Sequence, residues 1–307
     1  QGSFGEQLMW LLPFGYLGIV SWGFWIVRKV LAATSRPVRN DFRTTTTVVV
    51  PSFHEDPDVL LRCLQTWVRQ GPSRIIIVLD VAVSDALALQ EAGFDGLIVE
   101  NFGDAPFRKE QVEPHTIAAM TAVVAEIART VDLPLGVNVL RNDPFAAVAV
   151  AAVTGARFIR VNVLSGVMVT DQGIIEGRAA ELFAYLDRVA PDLAVWADIA
   201  VKHARPLVDR PIEELAVETV ERGGAHAVIV TGSQTGAAVD DGELRRVRNV
   251  VDVPVIVGSG VNVDTVGALS SESDGLIIGS ATKERGDARW PVDPERAAAV
   301  IGGLAFG

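Results

Sequence analysis

Cysteine is almost absent from this chain. Cys63 stands alone, which rules out an internal disulfide and any cysteine cluster for zinc or iron–sulfur. Lysine is scarce as well: Lys29, Lys109, Lys202 and Lys283 are the four among 27 basic residues. Acidic residues number 38, giving a net charge of −11 and a pI near 4.9. No basic stripe is left to neutralise a phosphate backbone, so nucleic acid is excluded as a partner. His54, His115 and His226 lie far apart, show no zinc-type spacing and fit surface or helix positions. What is abundant is apolar. Of 307 residues 49% are hydrophobic and mean hydropathy is +0.32, which suits a large core and argues against global disorder.

Residues 8–27 carry no charge over a length that crosses a bilayer core. Trp10, Tyr16, Trp22 and Trp25 supply interfacial anchors, and Arg28, Lys29, Arg36, Arg39 and Arg43 follow on one side only. That asymmetry predicts a single-pass anchor in the lipid bilayer with the remainder cytoplasmic. A cleaved leader would place its charges ahead of the apolar run and a small-residue site behind it; neither is present. The alternative is a buried globular helix, against which stand Pro13, Gly15, Gly18 and Gly23, tolerated in lipid but poor in a soluble helix. The chain opens on Gln1, as a fragment of a longer product does.

Behind the basic stretch, the β-branched run 44–50 reads as a buried strand ending at Pro51-Ser-Phe-His-Glu-Asp-Pro-Asp58. Leu60, Leu61, Leu64 and Val68 then recur at helical spacing, Gly71-Pro72 breaks the helix, and Ile75–Asp80 is a second strand. Residues 8–80 resemble the start of membrane-embedded family-two glycosyltransferases of the hyaluronan-synthase type. That resemblance implies a uridine-nucleotide pocket with Glu55 and Asp80 as its binding residues. It stops there: no Asp-x-Asp follows, Arg289-Trp290 supplies only half of a Gln-x-x-Arg-Trp motif, and no later apolar stretch is long enough to span a bilayer. Sugar transfer is therefore not expected. The sequence divides into an anchor with its basic segment (1–43), a partial glycosyltransferase-like βαβ unit (44–82) and a β/α barrel (83–307).

In that last part, short apolar strands alternate with helical patterns, the signature of parallel β/α units. The strands fall at 96–100, 135–140, 158–163, 194–199, 227–231, 255–258 and 275–279, with Gly93, Gly155 and Gly223 suited to left-handed helix ends. Counting 75–80 as the eighth makes a closed (β/α)8 barrel arithmetically possible, but the glycosyltransferase-like unit claims the same strand, which pairs on both sides only if the barrel opens. Period-two alternation turns Ile159, Val161 and Val163 toward the helices and Arg160 and Asn162 inward. The same phase places Glu100, Asn138 and Asp198 inside, near the C-terminal strand ends where barrel active sites are built. These groups read as a ligand site or as a polar layer whose members satisfy one another. Val257-Gly-Ser-Gly-Val261 and Ile278-Gly-Ser-Ala281 close the last two strands. Gly258, Ser259, Gly260, Gly279 and Ser280 there offer main-chain N–H groups to a phosphate, or make plain tight turns.

Long strings complete the picture: Val99-Glu-Asn-Phe-Gly-Asp-Ala-Pro-Phe107, Gly136-Val-Asn-Val-Leu-Arg-Asn-Asp143, Arg160-Val-Asn-Val-Leu-Ser-Gly166, Ala197-Asp-Ile-Ala-Val-Lys-His-Ala204 and Val230-Thr-Gly-Ser-Gln-Thr-Gly236. Over residues 84–303 the chain is similar to the BtpA/SgcQ family. The resemblance implies a barrel of the ribulose-phosphate-binding class, in a family linked to photosystem I accumulation and to sugar-utilisation operons. The family's opening strand and its loop are missing, with 75–83 in their place.

Candidate catalytic groups are Glu100, Asn138, Arg160, Asn162, Asp198, Lys202 and His203. Lys202 suits a phosphate or carboxylate partner better than a Schiff base, since nearby carboxylates oppose the lowered pKa an imine requires. His203 suits acid–base work or a supporting hydrogen bond. No cofactor is required; Glu100, Asp104, Asp171 and Glu176 are oxygen ligands of the kind Mg²⁺ takes, although their spacing does not demand it. A homo-oligomer is compatible with the sequence. Three functions follow: an aldolase, lyase or isomerase acting on a small phosphorylated ligand, a non-catalytic factor for a membrane complex, or a fusion without intact activity.

Overall fold

A parallel strand buried on both faces needs a helix to return the chain, so alternating apolar runs and helical stretches dictate a layered α/β fold. The computed structural model describes residues 81–200, 204–231 and 241–304, with two short strands ahead of them, β1 (Thr47–Pro51) and β2 (Arg74–Val78). The first half continues through α1 (Val81–Ala92), β3 (Leu97–Glu100), α2 (Pro114–Thr130), β4 (Leu135–Asn138), α3 (Pro144–Thr154), β5 (Phe158–Val161), β6 (Val167–Thr170), β7 (Gly173–Glu176) and α4 (Ala179–Val189). Then come β8 (Ala194–Ala200), β9 (Ala204–Pro206), α5 (Ile212–Val217), β10 (Ala227–Val230), α6 (Asp241–Arg248), β11 (Val255–Val257), α7 (Val266–Glu272), β12 (Gly275–Leu276) and α8 (Pro294–Leu304).

Seven strands form one sheet in the order β12-β11-β10-β8-β5-β4-β3, and every neighbouring pair is parallel. The sheet curls. From β5, Arg160 reaches Glu100 two strands away on β3, and its Nη2 lies 3.5 Å from where a Cβ on Gly258 would sit, just past β11, three strands away on the other side. Strands spaced about 4.8 Å apart would hold those positions roughly 10 and 14 Å away in a flat sheet, too far for one side chain to join. Outside the curl, Val137, Ile159, Val161, Val195, Val228 and Val257 are fully buried in the core shared with the helices. Inside it, Ala227, Ile229 and Ile256 pack with Trp196 and Ile277.

Of the two pairings open to the eighth strand, the one that closes this sheet is not made. β2 pairs with β1, and among the described residues the seven-stranded sheet ends at β3 and β12. The helices nevertheless form one continuous arc. α1 packs on α2, α2 on α3 and α3 on α4; α5 through α8 pack in succession; and α8 returns to α1. Asp85 on α1 fastens that junction, taking Lys283 Nζ at 2.5 Å on one oxygen and the Val292 N–H at 2.8 Å on the other. Asp85→Ala is expected to cost about 1–3 kcal/mol, since it strands two part-buried donors at once. A urea midpoint unchanged from wild type would contradict that role.

Two local departures have simple causes. Gly93 and Gly155 take the left-handed conformation expected of them, with φ of +95° and +77°. Gly223 does not, because a π-helical turn at Glu218–Arg222 adds a residue and moves the left-handed position to Gly224 (φ +76°). A three-stranded antiparallel sheet, β7-β6-β9, rises from the segments that follow β5 and β8. Val163 packs with Met168 and Ile175 beneath it, not against the helices as strand alternation implied, because β5 has already ended at Val161.

Residues 8–27 of the expected anchor lie outside the described residues. Among the described residues no helix is long and apolar enough to cross a membrane.

Candidate functional site

At the C-terminal ends of β3, β4, β5 and β8 the inward-facing polar residues meet in one network. Arg160 donates from Nε to Asp198 Oδ2 (3.0 Å) and from Nη2 to Asp198 Oδ1 (2.9 Å), a two-pronged ion pair. Its Nη1 reaches Glu100 Oε1 at 3.4 Å, and the same oxygen accepts from Asn138 Nδ2 at 3.0 Å. Asn162 Nδ2 donates to Asp198 Oδ2 at 2.9 Å. Five of the seven residues proposed from sequence as catalytic are thus brought into hydrogen-bonding contact. Lys202 and His203 lie outside the described residues.

Electrostatics explains why the group persists inside the protein. The Asp198 side chain is wholly shielded from solvent and that of Arg160 nearly so. Burial by itself lowers the Arg160 pKa, but the charges of Asp198 and Glu100 and the hydrogen bonds to both outweigh it, so the guanidinium is held more firmly charged than in water. One arginine faces two carboxylates, which leaves the cluster one negative charge in excess. Glu100 is its more exposed member.

The surrounding loops are fixed by amide side chains whose part the sequence did not disclose. Asn101 accepts the Leu140 N–H at 2.7 Å and donates to the Leu140 carbonyl, joining the segment after β3 to the one after β4. Asn142 exchanges hydrogen bonds with the main chain of Val163 in both directions, joining the next pair. Asp143 caps α3 through the Ala146 N–H and takes the Val112 N–H on its other oxygen. An Asn-Asp pair just past a strand end was the available signal for such a clamp.

The glycine turns sit side by side, because β11 and β12 pair directly. Gly258 does not lend its N–H to an anion as expected; it donates to the Val230 carbonyl at 2.8 Å and continues the ladder. Its contribution is space. A Cβ there would lie 2.5 Å from Ile229 Cγ2 and 2.6 Å from Thr231 Cγ2. Gly260 turns with φ +78°, and Gly279 is exposed with nothing within 4 Å of its Cβ position. Ser280 opens a short 3-10 turn, while Ser259 is buried. No hydrogen bond among the described residues occupies the N–H groups of Gly260, Gly279 or Ser280. Main-chain N–H groups at two adjacent strand ends can receive an anion.

Elsewhere, His115 is exposed on α2, and His226 accepts the Val195 N–H on Nδ1 at 2.9 Å, a structural bond. Among the described residues no three His, Cys, Asp or Glu side chains come together as a metal site. Glu55 and Asp80, assigned to a nucleotide pocket by resemblance, lie outside the described residues, as does His54.

A protein-family model, that of the BtpA family, matches residues 62–305. The match begins well ahead of the boundary drawn at residue 83 and takes in β2, so part of the segment read as glycosyltransferase-like is shared with this family. An uncharacterized protein of Methanocaldococcus jannaschii is 49% identical over 73% of this chain and 85% of its own length. The photosystem I biogenesis protein BtpA of Synechocystis is 43% identical over 80% of this chain and 85% of its own. Thiamine phosphate pyrophosphorylase from Pyrococcus furiosus is similar in structure with a TM-score of 0.50 at 14% identity, covering 85% of this chain and 96% of that one, a likeness of fold.

Proposed function

This chain belongs to the BtpA family, and from that premise we propose that it binds a small phosphate ester, such as a phosphorylated sugar, at the C-terminal face of its sheet. The phosphate rests on the N–H groups of Gly260, Gly279 and Ser280, and the rest of the ligand extends toward Arg160, Asn162 and Asp198. One observation carries this reading: two glycine turns end neighbouring strands, and among the described residues no hydrogen bond takes the N–H groups of Gly260, Gly279 or Ser280. If the ester is turned over, the chemistry is of the aldolase, lyase or isomerase type, with Lys202 and His203 the further candidates on the segment after β8. Anchoring of residues 8–27 in a bilayer, with the sheet in the cytoplasm, belongs to the same proposal.

Thermal unfolding with inorganic phosphate and with ribose 5-phosphate tests it. A ligand at a hundred times its dissociation constant stabilises by about 2.7 kcal/mol, which for a domain of this size raises Tm by roughly 5–10 °C. Ser280→Asp sets a carboxylate at the turn and is expected to weaken binding about tenfold or more through like-charge repulsion. An unchanged Tm with both compounds would remove the reading. In that event the second one gains: a non-catalytic factor for a membrane complex, favoured by the name of the Synechocystis relative and by the apolar run at 8–27.

A further inference from the structure

Asn162 is buried to 4% exposure, and its amide is used on one side only. Its Nδ2 donates to Asp198, and that orientation is dictated chemically, because an ionised carboxylate only accepts. The amide oxygen is therefore turned the other way, and among the described residues Asn162 Oδ1 has no hydrogen-bond partner. A buried acceptor left unpaired costs free energy that a suitable donor recovers. The neighbouring charges say what kind of donor fits. Arg160 is already engaged by Asp198 and Glu100, so it offers no unshared positive charge, and the excess negative charge repels another anion.

We infer that the interior end of this site takes a hydrogen-bond donor of the ligand, a hydroxyl or an amine, onto Asn162 Oδ1, and discriminates against a carboxylate there. The inference rests on the phosphate-ester reading and narrows its substrate class. The ligand is two-ended: its phosphate lies at the glycine turns of β11 and β12, and its donor group points into the curl of the sheet. Gly258 stands between the two ends, where a side chain would collide with Ile229 and Thr231 and press toward Arg160.

Calorimetric titration of the full chain with four probes separates the possibilities: inorganic phosphate, glycerol phosphate, phosphoethanolamine and phosphoglycolate, which has a carboxylate and no hydroxyl. Glycerol phosphate or phosphoethanolamine is expected to bind about tenfold tighter than phosphoglycolate, and which of the two is tighter tells hydroxyl from amine. Asn162→Leu, which removes the acceptor and keeps the volume, should weaken the tighter of them about three- to tenfold and bring it toward the affinity of inorganic phosphate. Glu100→Gln keeps an acceptor for Arg160 and Asn138 but cancels the excess charge, so it should narrow the gap to phosphoglycolate; it also serves should the Asn162 variant fail to fold. Phosphoglycolate binding as tightly as the donor-bearing esters, or an Asn162→Leu protein with wild-type affinities, overturns this inference while the phosphate site stands. Binding of none of the four overturns both.

Discussion

Asp198→Ala is expected to destabilise the protein by about 3–5 kcal/mol, the usual consequence of stranding one partner of a buried ion pair. The variant removes both strong acceptors from the Arg160 guanidinium and the acceptor of Asn162 Nδ2, leaving Arg160 a single contact to Glu100 at 3.4 Å. Water cannot easily make good the loss, because the Asp198 side chain has no solvent exposure. Replacing both partners at once, as Arg160→Met with Asp198→Leu, should recover much of the stability, since the penalty comes from an unpaired charge and not from lost attraction. Urea unfolding of the single and double variants measures both. A single variant within about 1 kcal/mol of wild type, or a double variant no better than the single, would mean that the pair is solvated and the interior is not the low-dielectric site described.

Gly136→Ala has the second large effect, and a purely steric one. A Cβ at that position would lie 2.1 Å from the Phe158 ring, which cannot retreat because Trp196 is stacked on it at 3.8 Å. The expected cost is about 1–3 kcal/mol, the range for overfilling a packed interior. Phe158→Leu in the same chain should relieve it, so the two changes together cost less than their sum. Strict additivity in denaturant unfolding would show that the ring and the glycine do not share the space.

Why the sequence announced some of this and not the rest follows from range. The seven parallel strands were legible because each is an apolar run bounded by a helix, and Arg160, Asn162, Asn138, Glu100 and Asp198 were legible because alternation along a strand is strictly local. Pairing is not local. Ile75–Val78 reads as a strand whichever partner it takes, so the sequence left both pairings open, and the structure pairs it with β1. The β6–β7 hairpin was visible in principle, as Val167-Met-Val-Thr-Asp-Gln-Gly-Ile-Ile175 with its turn at Gly173 (φ +100°). Its third strand, β9, arrives from a distant segment and leaves no local mark. The unpaired oxygen of Asn162 was beyond reach for a similar reason: composition reveals an amide, but only its distant partner Asp198 fixes which way the amide faces.

In the proposed site, neighbouring main-chain amides at Gly260, Gly279 and Ser280 hold the phosphate of an ester whose other end meets the Arg160 network. Amide-resolved NMR during titration with ribose 5-phosphate addresses it residue by residue. Those three N–H signals are expected to move most, with the side-chain amide of Asn162 following and the helix amides of α2 and α3 unmoved. Saturating ligand that shifts signals elsewhere while Gly260, Gly279 and Ser280 stay in place would contradict it.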